Sequence, residues 1–264
     1  MEPLLELKNI CFSYHSMEGE TEALSDINFK VGEGEFVAVV GPSGCGKSTI
    51  LNLISGLIKP ESGSIFIKGK PLAESDINIG YMLQKDHLFE WRTIYRNVTL
   101  GLEIQKKLND STKEKVEQML KTYGLEEFRN ARPSQLSGGM RQRAALIRTL
   151  ALEPALLLLD EPFSALDYQT RLSVADDIGQ ILKAQKKTAL LVTHDISEAI
   201  SMADQVIVLS RRPAIVKSTV DIDMDIPNRT PMTSRNAPAF KTYFNTIWKE
   251  LNSYEDMYSA GSVS

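Results

Sequence analysis

Residues Gly41-Pro42-Ser43-Gly44-Cys45-Gly46-Lys47-Ser48-Thr49 follow the apolar run Phe36–Val40 and match G-x-x-x-x-G-K-[S/T]. Glycines let backbone N–H groups approach phosphate oxygens, and a helix opening after them favours negative charge. Lys47 is placed to reach β- and γ-phosphates, and the Ser48 hydroxyl is a ligand for Mg²⁺. The chemistry implied is binding of a nucleoside triphosphate. A Gly-rich turn without a ligand is the plainer alternative.

Three further groups of residues carry chemistry. The run Leu156–Asp160 ends in a carboxylate suited to Mg²⁺, and Glu161 follows, suited to polarising a water. An acidic helix N-terminus is the other reading. Leu136-Ser137-Gly138-Gly139-Met140-Arg141-Gln142-Arg143 offers a Ser N-cap, two glycines and a helix start, a second anion site about 90 residues beyond the first. One nucleotide does not obviously need two such sites in one chain. The run Ala189–Val192 leads into Thr193-His194-Asp195, where His194 is either structural or a contact to phosphate.

These groups need elements to hold them. Short apolar runs separated by helical stretches predict parallel strands buried on both faces, with ligands bound outside their carboxyl ends. The class predicted is α/β. Residues 4–14, 22–31 and 62–72 read as strands of a mostly antiparallel N-terminal sheet. Residues 88–152 read as a helical lobe set into the core, with a helix start at Asn109-Asp110-Ser111-Thr112 ahead of Val116, Met119 and Leu120. Residues 205–209 and 214–216 form a closing strand pair, and residues 225–236 a polar linker. Phe240, Tyr243, Phe244, Ile247, Trp248 and Leu251 then recur at helical spacing. The last dozen residues are expected to be loose.

Composition narrows the function. The 264 residues are 42% hydrophobic and 24% charged, enough to bury a sizeable core. Thirty Lys and Arg against 34 Asp and Glu give a net charge of −4, so no general field draws the chain to nucleic acid. Two cysteines, Cys11 and Cys45, are too few for a disulfide scaffold and fit a reducing setting. MEPLLELKNI lacks the pattern of a secretory signal, and no apolar run approaches the roughly 20 residues that span a bilayer.

Over residues 4–224 the sequence resembles the ATPase subunits of ABC transporters. The motifs stand in that family's order: the P-loop, Gln84 in Tyr81-Met82-Leu83-Gln84, the signature at Leu136 to Gln142, Leu156 to Glu161, Ser164-Ala165-Leu166-Asp167, and His194. The resemblance implies a P-loop ABC ATPase core with an N-terminal antiparallel β subdomain and an inserted helical subdomain. It implies ATP and Mg²⁺, and a homodimer in which the signature of one subunit (Ser137, Gly138, Gly139) closes over ATP on the P-loop of the other. By resemblance Glu161 is the general base, His194 contacts the γ-phosphate and Asp167 links the two sites. Gln84 senses Mg²⁺ and couples to a membrane partner, and Ser48, Gln84 and Asp160 serve the metal. Tyr14 matches the aromatic that stacks on adenine, with Ile10, Phe12 and Tyr14 alternating on one strand face; a core tyrosine is the alternative.

Within the family, three stretches resemble the importer group for nitrate, sulfonates, taurine and pyrimidine precursors: Ser137 to Arg143 with Met140, Leu88-Phe89-Glu90-Trp91-Arg92 with Asn97-Val98 and Leu100-Gly101-Leu102, and Ile247 to Leu251. Glu90 stands where that group's Pro is expected, which leaves the substrate open. Trp91 reads either as core or as part of a groove for a membrane subunit. The function expected is an ATP-hydrolysing importer subunit for a small anionic or nitrogen- or sulfur-containing solute. Its partners would be two transmembrane permease subunits and, indirectly, an extracytoplasmic solute-binding protein; its place would be the cytoplasmic face of the membrane. The alternatives are an exporter ATPase or a soluble ABC ATPase acting on nucleic acid or ribosomes.

Overall fold

The structure is a computed structural model that describes residues 2–17, 19–226 and 229–252. The chain divides into two compact units: one built from residues up to Asp76 and from Lys186 onward, the other from Ile77–Gln185. The expected helical stretch 88–152 falls within the second unit, which also takes in strands and a long helix on either side.

The first unit opens with β1 (Leu5–Ser16) and β2 (Gly19–Val31), paired antiparallel. Leu5 and Leu7 are buried at strand period; Asn9 then takes φ +49° and the register shifts, so Ile10 becomes the next buried residue. Asp26, opposite on β2, takes φ +50° and accepts from Asn9 Nδ2 at 2.8 Å. The Ile10–Phe12–Tyr14 alternation is broken by these shifts. Ser13 is buried, Phe12 is half-buried and Tyr14 is exposed.

After β3 (Phe36–Val40) and α1 (Lys47–Ile54), β4 (Ser62–Ile67) and β5 (Lys70–Pro71) complete a four-stranded sheet in the order β2-β1-β4-β5. All of β3 is buried, which explains why its sequence runs apolar without alternation.

In the second unit, β6 (Ile79–Met82) pairs parallel with the later strand β7 (Leu156–Asp160). Between them lie α2 (Ile94–Val98), α3 (Leu100–Ile104), α4 (Asp110–Thr122) and α5 (Gly138–Leu150). The Asn109 start holds: its side chain accepts from the Thr112 amide, and Thr112 accepts in return from the Asn109 amide. Val116 and Leu120 face inward. The unit ends with α6 (Tyr168–Ala184), which buries Val174, Ala175, Ile178 and Leu182 at helical spacing.

From Lys186 the chain again builds the first unit, with β8 (Thr188–Thr193), α7 (Ile196–Met202), β9 (Gln205–Leu209) and β10 (Val216–Asp221). β3 lies between β8 and β9, parallel to both, and β10 runs antiparallel to β9. The closing strand thus begins at Val216, two residues later than expected, because Ala214 bridges to Leu24 instead.

Within the expected linker 225–236, residues 229–236 are more structured than a linker. Thr230 and Pro231 open α8 (Pro231–Arg235) as N-cap and first-turn proline. Before it, the half-buried Arg229 donates to the carbonyls of Ile200, Ala203 and Ile222, at 2.8, 2.7 and 3.1 Å. The apolar stripe lies on α9 (Pro238–Asn252), but only Ile247 is fully buried; Phe244 and Trp248 stack with 6.1 Å between ring centroids. The expected loose tail lies outside the described residues. Among the described residues no helix is long and apolar enough to cross a membrane.

Candidate functional site

In the first unit the P-loop links β3 to α1. Gly46 caps α1 at φ +117°, in the left-handed region, and supplies no side chain to the first-turn amides. A Cβ on Gly46 would stand 2.7 Å from Leu24 Cδ2 and 3.2 Å from the Ala23 carbonyl. Glycine is therefore required by both backbone and space. Lys47 is buried, its ammonium donating to the carbonyls of Gly41 at 2.8 Å and Pro42 at 3.0 Å. A buried ammonium beside the N-terminal amides of a helix makes a site for anionic oxygens, so the residues fit a bound phosphate chain.

β8 brings His194 to the same end of the sheet. Val40 and Thr193 are direct partners in the parallel ladder, so Gly41 and His194 leave neighbouring strands side by side. His194 is exposed, and the turn behind it is fastened: Asp195 caps α7 through the amides of Ser197 and Glu198, and Thr193 hydrogen-bonds Glu198. Tyr14 is 44% exposed, which removes the core-tyrosine reading. Its hydroxyl meets Thr49 Oγ1 at 2.9 Å, and its ring meets Phe12 edge-on at 4.9 Å. Cys45 is buried and burial pushes its thiol pKa up, so it is a small loop residue with little thiolate character.

The second unit carries the acidic residues. Asp160 ends β7 with 8% exposure, and the Tyr81 hydroxyl on the neighbouring strand donates to its Oδ2 at 3.4 Å. Glu161 takes φ +43° as the chain turns out of the strand. Gln84 Nε2 donates to Glu161 Oε2 at 3.2 Å and to Ser164 Oγ at 3.5 Å. The oxygens of Ser48, Gln84 and Asp160 are hard donors of the kind Mg²⁺ selects.

The signature is built as a helix start. Ser137 caps α5 by accepting from the Met140 amide at 3.3 Å. A Cβ on Gly139 would lie 2.9 Å from Thr170 Cγ2 and from Val174 Cγ2, so α5 packs closely on α6. Asp167 caps α6 through the Thr170 amide at 3.1 Å; its hydrogen bonds with Thr170 hold its carboxyl below the usual range.

A strand, a phosphate-type loop and a helix on a parallel sheet define a P-loop nucleotide-binding protein. The chain matches the ABC transporter family over residues 24–164 and belongs to that family as an ATP-binding cassette, whose hydrolysis of ATP is coupled to transport. It is 47% identical over 251 residues to the uncharacterized ABC transporter ATP-binding protein YtlC of Bacillus subtilis, covering 95% of this chain and 96% of that one. It is 36% identical over 236 residues to the aliphatic sulfonates import ATP-binding protein SsuB of Bacillus licheniformis, covering 89% of each. Among solved structures, the dimeric post-hydrolysis state of the cassette MJ0796 bound to ADP and Pi superposes with a TM-score of 0.72 at 33% identity, covering 83% of this chain and 99% of that one.

Three contacts were not legible in the motifs. Arg212 Nη2 donates to the Gly44 carbonyl at 2.6 Å, a brace on the P-loop from residues after β9. Arg141 Nε reaches Asp86 at 3.1 Å, tying the signature helix to the segment after Gln84. Buried Asn97 holds the 89–93 loop, its amide donating to the carbonyls of Phe89, Arg92 and Thr93 and its Oδ1 accepting from the Phe89 amide at 2.7 Å. That loop displays Trp91 at 72% exposure against Phe89, ring centroids 4.8 Å apart. Trp91 is not core.

Proposed function

We propose that this chain powers uptake of a small anionic or nitrogen- or sulfur-containing solute. It would act as a homodimer on the cytoplasmic face of the membrane beneath two permease subunits, and an extracytoplasmic binding protein would deliver the cargo. The observation that carries the importer reading is the likeness to the sulfonates import protein, which extends over nearly the full length of both chains.

In this reading the P-loop amides from Gly41 to Thr49 and the Lys47 ammonium hold the phosphates, while Tyr14 stacks on adenine. Ser48, Asp160 and Gln84 hold Mg²⁺, which supplies charge neutralisation at the β- and γ-phosphates. Glu161 accepts a proton from the attacking water, and His194 donates a hydrogen bond to the γ-phosphate. Ser137, Gly138 and Gly139 of the second subunit complete the site, so hydrolysis waits for closure, and Asp167 ties one site to the other. Phosphoryl transfer to water depends mainly on positioning and charge, which suits a site assembled only when closed.

The test is co-purification. A tagged Glu161→Gln chain is loaded with ATP and Mg²⁺ in native membranes, solubilised gently, and its partners are identified by mass spectrometry. A multi-spanning subunit together with an extracytoplasmic binding protein supports uptake. A membrane subunit whose vesicles extrude solute assigns export, and recovery of ribosomes or nucleic-acid enzymes alone sinks the transporter partnership.

A further inference from the structure

The far end of β1 holds a cluster that nucleotide chemistry does not use. β1 lies between β2 and β4 in the first unit's antiparallel sheet. On one side, Glu20 of β2 is the direct ladder partner of His15, so the two side chains share a face. On the other, Glu61 immediately precedes β4. Its amide donates to the Cys11 carbonyl at 3.0 Å, and its Oε1 lies 2.8 Å from His15 Nε2. One ligand-capable atom from each of His15, Glu20 and Glu61 lies within 4.8 Å of the other two.

We propose that His15, Glu20 and Glu61 form a binding site for a divalent transition-metal ion of the zinc class, with water completing its coordination.

The donor set argues for that class. One imidazole nitrogen with two carboxylates suits zinc and its neighbours, whereas Mg²⁺ and Ca²⁺ select oxygen alone. The ligands come from three adjacent chain segments whose spacing is set by the sheet's own backbone hydrogen bonds. Little reorganisation is needed beyond side-chain rotation, because the scaffold is ordered before any ion arrives. The charges argue the same way. Two carboxylates crowd one imidazole, so a cation held there would meet two negative charges. On binding, the His15–Glu61 hydrogen bond gives way to two bonds to the ion, and any proton on the ligating nitrogen passes to solvent.

The ion would tie β2 and the segment before β4 to the residue next to Tyr14. That gives it a position from which to stiffen the strand end carrying the exposed ring and its contact to Thr49.

The experiment is calorimetric titration of the full chain with zinc chloride in the absence of nucleotide, comparing the unaltered protein with His15→Ala, Glu20→Gln and His194→Ala. The expected result is one saturable site, weakened at least about 10-fold by His15→Ala and weakened by Glu20→Gln, with His194→Ala binding like the unaltered chain. Cobalt(II) in place of zinc should give absorption typical of nitrogen and oxygen ligands without a thiolate band, lost in His15→Ala. All three ligands are exposed, so the variants should keep the circular dichroism of the unaltered chain. Equal zinc affinity in His15→Ala, a thiolate-type cobalt spectrum, or no saturable binding leaves a surface charge cluster and overturns the site.

Discussion

The side-chain amide of Gln84 donates to the carboxylate of Glu161 across 3.2 Å, joining the segment after β6 to the turn after β7. One contact thus connects the residue expected to sense Mg²⁺ with the residue expected to act on water. Glu161→Gln should leave ATP binding intact while hydrolysis falls about 10²- to 10⁴-fold, the usual contribution of a general base. Nucleotide binding by filter assay, phosphate release and gel filtration together check it. Turnover near that of the unaltered chain would remove Glu161 from the base role.

Tyr14 separates ring from hydroxyl. Tyr14→Phe removes the bond to Thr49 but keeps the aromatic face, so ATP affinity should change little. Tyr14→Ala should weaken ATP by about 1–3 kcal/mol, the range for a base stacked on an aromatic ring. Its thermal midpoint should move little, because the residue lies at the surface, 44% exposed. A large drop in midpoint with unchanged affinity would point to packing instead.

Gly139→Ala tests the signature. The new methyl would press on Thr170 and Val174 at 2.9 Å, and overpacking of that kind costs about 1–3 kcal/mol. Urea denaturation should register the loss. Hydrolysis should fall further than ATP binding to the isolated chain, because the P-loop lies in the other unit. Parallel loss of both would show that α5 matters only for stability.

The loop that displays Trp91 offers a paired comparison. Trp91→Ala should leave stability and ATP binding unchanged while membrane association or transport falls, since the indole is 72% exposed. Asn97→Ala should destabilise by about 1–3 kcal/mol, because it strips partners from carbonyls and an amide in the same loop. Loss of membrane association in the second variant but not the first would assign the interaction to loop shape rather than to the indole.

Asp167 gives a pH prediction with a definite sign. Its carboxyl titrates below the usual value in the folded state through its hydrogen bonds with Thr170. Its contribution is therefore complete above the unfolded carboxyl pKa of about 3.9 and is lost as pH falls through the lower folded value. Denaturation curves between pH 5 and 2.5, run on the unaltered chain and Asp167→Asn, should differ in slope across that acid window (about pH 4 and below). Identical slopes would show that the cap does not titrate with folding.

The motifs and their elements were legible because each rests on local chemistry. An apolar run followed by glycines and Lys47 dictates strand, loop and helix; Asn109 and Ser137 announce helix starts through hydrogen bonds that span three residues. That β3 and β8 run parallel was implied by their unbroken apolar runs, and that they are neighbours was not. The tertiary structure decided what depends on distant partners. Asn9 and Asp26 shift the β1–β2 register and bring Ile10 inward, and a further shift between Phe12 and Ser13 leaves Ser13 buried and Tyr14 exposed. Arg229 finds carbonyls at Ile200 and Ala203, so a polar stretch that reads as linker becomes anchored. His15 meets Glu20 and Glu61 only because β1 has a neighbour on each side. Sequence periodicity records which face of an element is apolar, but it carries no record of which residue lies across from which. Register shifts and long-range hydrogen bonds are fixed only when the strands pair and the core closes.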